Sequence, residues 1–343
     1  MCAWGGVVSL NGAGQAAFCN GAWSAEVSCR QRMMSIASRG TAKGGHSVTR
    51  CTRPWTDLYL RWDLASCCCF LAAKRRQRTP LWGSLDSVGA VFNSPLFQEI
   101  REEMSREGAA AVCDGCLRCN DLATDDSVDT DSRVVLAPKR ITVTTSLICQ
   151  ADCAYCQVPC SKLSPKRPPR AKVEAFCESL SDVRSVVYTG GDLFALTDDL
   201  IGVWMEPVVK HGLDCLIITN GIGLTQVRYD RWCRHPGVRL SITLDTLNPT
   251  VYRKQRGPQG WLTVHDRLAR IAQSAPGNRI QANATVTGLN LHCVSNLIRW
   301  AGDVGITHLL VNPVEPTTRF RRHAHASIFG PGCTERSYLQ VRL

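Results

Sequence analysis

Three cysteines crowd one short segment of the chain, TTSLICQADCAYCQVPC, where Cys149, Cys153 and Cys156 stand in C-x3-C-x2-C spacing. So short a loop suits metal ligation better than disulfide bonding. Three thiolates on one loop can bind three irons of a four-iron cluster and leave the fourth iron open to another ligand. Structural zinc would require a fourth protein ligand, which Cys160 could supply, so the loop by itself leaves zinc open. The chain has 19 cysteines in 343 residues. Disulfide scaffolds reach such density mainly in short secreted domains, so the expected compartment is reducing.

The expected localisation is cytoplasmic. No apolar run approaches the ~20 residues that span a bilayer, and residues 1–22 lack a basic stretch followed by an apolar core. The net charge of +11 is scattered over Lys74–Arg78, Lys162–Lys172 and Arg319–Arg322, which reads as solvated basic loops, and no nucleic-acid partner is expected.

Composition and pattern divide the chain into five stretches. Residues 1–48 are rich in Gly, Ala and Ser without a clear period, and residues 49–120 form a Cys-rich module. An acidic linker follows at 121–137, then a core at 138–315 and a basic tail at 316–343. Within the core, short β-branched runs at 141–148, 186–188, 216–219, 239–244, 280–286 and 308–311 alternate with helical candidates at 173–180, 200–211, 226–234, 264–272 and 293–304. That alternation predicts βα units around a parallel sheet. A full eight-unit barrel takes ~250 residues. The expected fold is therefore α/β, a partial (β/α)6 barrel preceded by a small Cys-rich module. Active sites of such folds gather at the C-terminal ends of the strands, so chemical motifs should follow strands directly.

They do. The cysteine loop follows the first strand. The second ends in VVYTGGDLFAL, where Gly190 and Gly191 permit close backbone approach and Asp192 either caps a helix or meets a cationic ligand. The third ends in Thr219-Asn220-Gly221, which ordinary turn chemistry would also explain. In the fourth, VRLSITLDTLNPTVYRKQRG, the residues Ser241, Thr243 and Asp245 alternate and so share the inner face. The fifth places Asn283 and Thr285 on one face, and the sixth ends in Asn312-Pro313.

On these motifs residues 138–315 resemble the radical S-adenosylmethionine (SAM) superfamily, in which an aromatic residue precedes the third cysteine, as Tyr155 does here. The resemblance implies a [4Fe–4S] cluster on Cys149, Cys153 and Cys156, whose open iron chelates SAM, and reductive cleavage to a 5′-deoxyadenosyl radical that abstracts hydrogen. It implies SAM contacts at Tyr155, Gly190, Gly191, Asp192 (where the family usually carries Glu), Ser241, Thr243, Asp245 and Asn283. It further implies an electron donor such as flavodoxin or ferredoxin. Residues 51–119 resemble the SPASM or twitch auxiliary-cluster module, through Cys-x2-Pro-Trp at 51–55, the cysteines of SCCCF and the closing CDGCLRC. Cys51, Cys68, Cys113 and Cys116 are then the expected ligands of an auxiliary iron–sulfur cluster, with a four-cysteine zinc site as the alternative. In the family this module follows the barrel, whereas here it precedes it. Such modules accompany peptide-modifying enzymes, so a peptide or a small molecule is the expected substrate. Alternatives are a cyclase like that of molybdenum-cofactor synthesis and a zinc-binding interaction protein.

Overall fold

The computed structural model describes residues 51–61, 64–67, 87–107, 128–131, 133–156, 167–275, 279–314 and 339–342. Among the described residues nine strands form one sheet. In chain order they are β1 (Asp57–Arg61), β2 (Leu64–Ser66), β3 (Arg140–Ser146), β4 (Ser185–Gly190), β5 (Asp214–Thr219), β6 (Val238–Thr243), β7 (Ile280–Val286), β8 (His308–Pro313) and β9 (Leu339–Arg342). The spatial order is β2-β1-β3-β4-β5-β6-β7-β8-β9. Strands β1 and β3 through β8 run parallel, while β2 and β9 are antiparallel at the two edges. The sheet is thus open and mostly parallel, in agreement with the partial barrel expected from the sequence.

Helices α1 (Arg53–Thr56), α2 (Val88–Phe92) and α3 (Pro95–Glu107) precede the six βα units. Within the units come α4 (Arg170–Glu178), α5 (Asp198–Lys210), α6 (Gln226–Arg228, continued by a π turn over Tyr229–Cys233), α7 (Pro249–Arg256), α8 (Trp261–Ser274) and α9 (Val294–Asp303). The two-residue periodicity of the strands sorts their faces. On β7, Ile280, Ala282, Ala284 and Val286 are buried, while Gln281, Asn283 and Thr285 between them are half exposed. The buried set of each strand joins one continuous apolar core with Val173, Phe176, Ile201, Trp204, Leu268 and Leu297 of the helices.

The segment before the barrel joins the same core. Strand β1 pairs with β3 in register Leu58 to Ile141, and Trp55, Leu58, Phe92, Phe97 and Ile100 pack into the common apolar cluster. Arg101 holds this segment together from a fully buried position. Its guanidinium donates to the carbonyls of Pro54 (2.8 Å), Phe92 (2.8 Å) and Arg133 (3.1 Å) and to Asn93 Oδ1 (3.1 Å). It also stacks 4.4 Å from the Phe92 ring centroid. Burial lowers its pKa to about 10.

Candidate functional site

The residues singled out in the sequence lie toward the C-terminal ends of β3 to β8. Beyond β3 the chain carries Cys149, Cys153 and Cys156, all half-buried. Two backbone contacts tie this loop to the β4 turn: Gly191 N–H donates to Ser146 O (2.7 Å) and Asp192 N–H to Ile148 O (2.8 Å). These contacts require the glycine pair. A Cβ on Gly191 would lie 2.1 Å from Ile148 O, and Gly190 holds φ +115° with Thr144 and Ser146 against it. Gly191 is approached by the cysteine-loop backbone at Ile148, and Gly190 by the end of β3.

Asp192, buried behind them, is absorbed by protein donors. Oδ1 accepts from Phe194 N–H (2.8 Å), capping a 3-10 turn, and Oδ2 accepts from Thr219 Oγ1 (2.8 Å) and Asn220 N–H (2.7 Å). Burial raises its pKa and these three donors pull it back. The turn it fixes places Asn220 against the cysteine loop, where Nδ2 donates to Cys149 Sγ and to Gln150 Oε1, both at 3.3 Å. Gln150 returns a bond to Phe194 O (3.1 Å). The sequence offered Asn220 only as a turn residue; its position one residue past a strand end was the available signal.

The far side of the loop docks on α7. Asp152 N–H donates to Arg256 O (3.0 Å) and Ala154 N–H to Gln255 O (2.8 Å), bracketing Cys153. Tyr155 Oη donates in a very short bond to Asp245 Oδ2. Arg256 donates to both, at 3.1 Å to Tyr155 and 3.2 Å to Asp245, as a buried ion pair. Asp245 Oδ1 accepts from Thr285 N–H (2.8 Å) and its carbonyl from Asn290 Nδ2 (2.8 Å). Tyr155 and Asp245, expected separately, therefore form one network, with Arg256 buried at its centre. Burial pushes the Tyr155 hydroxyl far up, against the pull of Arg256.

Ser241 is buried and Thr243 half exposed on β6, and Thr243 pairs in register with Asn283. Asn283 Oδ1 accepts from Asn312 Nδ2 (2.7 Å). The inner face of β6 to β8 is thus polar and partly open, unlike the close-packed interior of a full TIM barrel. Cys51 is half-buried at the start of α1, while Cys68, Cys113 and Cys116 lie outside the described residues.

The donor set fits an iron–sulfur cluster. Cys149 and Cys153 are outside any disulfide. Burial raises both thiols, Cys149 to about 11, so each needs a metal to hold it as thiolate. Among the described residues no three His, Cys, Asp or Glu side chains converge on a single ion. A cluster does not ask for that, because each thiolate meets its own iron. Buried Arg256 Nε and Asn312 Oδ1 have no hydrogen-bond partner among the described residues, as expected of a site that a polar ligand would complete.

Residues 143–301 match the sequence profile of the Radical SAM superfamily. No curated protein matches the chain. Among solved structures, Streptococcus suis SuiB bound to precursor peptide SuiA is similar at 14% identity, over 64% of this chain and 53% of that one, with TM-score 0.45. Native anSMEcpe with bound AdoMet is similar at 15% identity over 52% of each chain, with TM-score 0.44. TYW1 with a lysine-pyruvate adduct bound is similar at 15% identity over 53% of this chain and 66% of that one, with TM-score 0.40. The chain spans about half the length of SuiB and of anSMEcpe. Among the described residues no helix is long and apolar enough to cross a membrane. The Radical SAM superfamily is thus what residues 143–301 match in sequence, over just under half of the chain.

Proposed function

We propose that the chain holds a [4Fe–4S] cluster through Cys149, Cys153 and Cys156, binds SAM beside it and cleaves the sulfonium reductively, abstracting hydrogen from a peptide. When bound, the cluster supplies the electron and the open iron for SAM, and the cleaved cofactor supplies a 5′-deoxyadenosyl radical. The remaining work belongs to the protein. Asn220 and the α7 carbonyls fix the cysteine loop from two sides. The polar inner face of Ser241, Thr243 and Asn283 offers partners to a ribose. Arg256 Nε and Asn312 Oδ1 offer further unpaired atoms to a polar ligand. The apolar core and helices wall the site on its outer side.

The observation that carries this reading is the docking of a three-cysteine loop, by Asn220 and by α7, at the mouth of a polar open barrel. The peptide assignment rests on the resemblance of residues 51–119 to auxiliary-cluster modules, with Cys51, Cys68, Cys113 and Cys116 as the proposed ligands of a second iron–sulfur cluster. The test is anaerobic reconstitution with iron, sulfide and SAM, reduction by dithionite, and joint measurement of clusters per chain and 5′-deoxyadenosine. Equal 5′-deoxyadenosine from wild type and Cys153→Ala would overturn the assignment, and zinc without iron or sulfide would favour a zinc-binding protein.

A further inference from the structure

One residue of α7 meets the cysteine loop twice, by its backbone and by its side chain. The carbonyl of Arg256 accepts from Asp152 N–H at 3.0 Å. The carbonyl of Gln255 accepts from Ala154 N–H at 2.8 Å, so both amides beside Cys153 are spent on the end of this helix. The helix stops there on Gly257, at φ +87°, and a Cβ on Gly257 would stand 3.4 Å from the Asp152 Cβ. The Arg256 side chain then turns inward. Its guanidinium donates to Asp245 Oδ2 at 3.2 Å and to Tyr155 Oη at 3.1 Å, and Tyr155 directly precedes Cys156. The residue that holds the backbone around Cys153 thus also brings a buried cation to the same loop.

Neither charge of the Arg256–Asp245 pair can relax toward water, since both side chains are buried. Asp245 Oδ1 is fixed by Thr285 N–H of β7 at 2.8 Å. The end of α7 is fixed by Gln255 Nε2, which donates to the buried Thr287 Oγ1 at 2.9 Å. Charges held away from water are screened less than exposed ones and act over a longer distance. On the Cys153 sulfur the two act with opposite sign: Arg256 favours negative charge there and Asp245 opposes it. A buried ion pair returns little net stability compared with apolar side chains of the same size. Stability alone therefore does not account for this pair.

We infer that the Arg256–Asp245 pair sets the reduction potential of the metal group on Cys149, Cys153 and Cys156, with Arg256 raising it and Asp245 lowering it. The inference rests on the proposed cluster function. In the step concerned a low-potential one-electron reductant loses one electron and the metal group gains it. No bond or proton moves, and the pair keeps its charges throughout. The added negative charge spreads over the group and its thiolates, so a fixed cation nearby stabilises the reduced form and a fixed anion the oxidised form. In this role Arg256 and Asp245 are positioning residues that act through the cysteine loop.

The test is a redox titration of the reconstituted full chain at pH 8 without SAM, with dithionite as the reductant. It follows the electron paramagnetic resonance signal of the reduced cluster that Cys153→Ala abolishes, after irons per chain have been counted. Arg256→Gln should lower the midpoint, so that the reduced-to-oxidised ratio at a fixed potential falls about tenfold, or about 59 mV for one electron. Asp245→Asn should raise the midpoint. Arg256→Lys keeps the cation and should return most of the wild-type value. Loosened packing would not sort these variants by charge. Shifts of one sign in Arg256→Gln and Asp245→Asn, or an Arg256→Lys as low as Arg256→Gln, would overturn the inference. Where Arg256→Gln keeps no iron, Asp245→Asn decides: an unchanged or lowered midpoint overturns it. Unmoved midpoints in loaded variants overturn this inference alone, whereas a wild type that takes up no iron and sulfide overturns the proposed function with it.

Discussion

The carboxylate of Asp192 and the backbone amide of Asn220 are 2.7 Å apart, and through this bond the β4 turn sets the residue that touches Cys149. An acid that family resemblance assigns to a ligand is here an internal brace, with three protein donors on its two oxygens. Its removal should therefore be felt before any ligand is added.

Asp192→Ala leaves Phe194 N–H, Thr219 Oγ1 and Asn220 N–H short of an acceptor in a buried place. Each such orphan costs about 1–3 kcal/mol, so urea denaturation of the metal-free protein should show a loss of at least about 3 kcal/mol. Asp192→Asn keeps an acceptor oxygen and should lose less. Equal stability of Asp192→Ala and wild type would contradict the brace.

Gly191→Ala puts a methyl where Ile148 O already stands, 2.1 Å from the new Cβ. The cysteine loop must move away from β4, carrying Cys149 off Asn220. The expected outcome is a folded protein, by circular dichroism, that retains fewer irons per chain after reconstitution and desalting. Full iron loading would show that the close approach is dispensable.

The Asp245–Arg256 pair is buried on both sides, with side-chain exposures of 0% and 4%. Breaking a buried pair from one side leaves an uncompensated charge and costs about 3–5 kcal/mol. Arg256→Met should destabilise the protein by that order in chemical denaturation. Tyr155→Phe, which removes one hydroxyl from the network, should cost only about 1–2 kcal/mol. The reverse order would show that Tyr155, and not Arg256, anchors the loop.

Cys177 and Cys233 sit in the apolar core, where burial pushes each thiol from the ordinary 9.0 to about 12. Their folded pKa lies above the unfolded one, so the unfolded chain releases these protons first as pH rises. Their contribution to stability is complete below pH 9 and is lost between about 9 and 12, at up to about 1.4 kcal/mol per pH unit for each thiol. Measured by urea midpoints over that range, the Cys177→Ala/Cys233→Ala double variant should fall less steeply than wild type. Parallel curves would mean that other groups dominate the alkaline loss.

The sequence by itself determined the alternation of strands and helices, because burial against one or both faces of a parallel sheet writes its period directly into the chain. The six strands from β3 to β8 lie where their apolar runs predicted. It also grouped three thiols on one loop, since their spacing is a local property. The burial of helix α7 was not legible: its hydrophobic side is short, and its buried face includes Gln255 and Arg256, residues that composition assigns to solvent. Only the tertiary structure decided that Arg256 is buried, because its partners Asp245 and Tyr155 come from β6's end and from the cysteine loop. The same holds for Asp192, whose fate depends on donors from the distant β5 turn. The pairing of β1 with β3 is equally non-local, since register between distant strands is set by which faces can be buried together. Local spacing specifies which atoms can bind a metal; the packing of separate strand ends decides which neighbours hold those atoms in place.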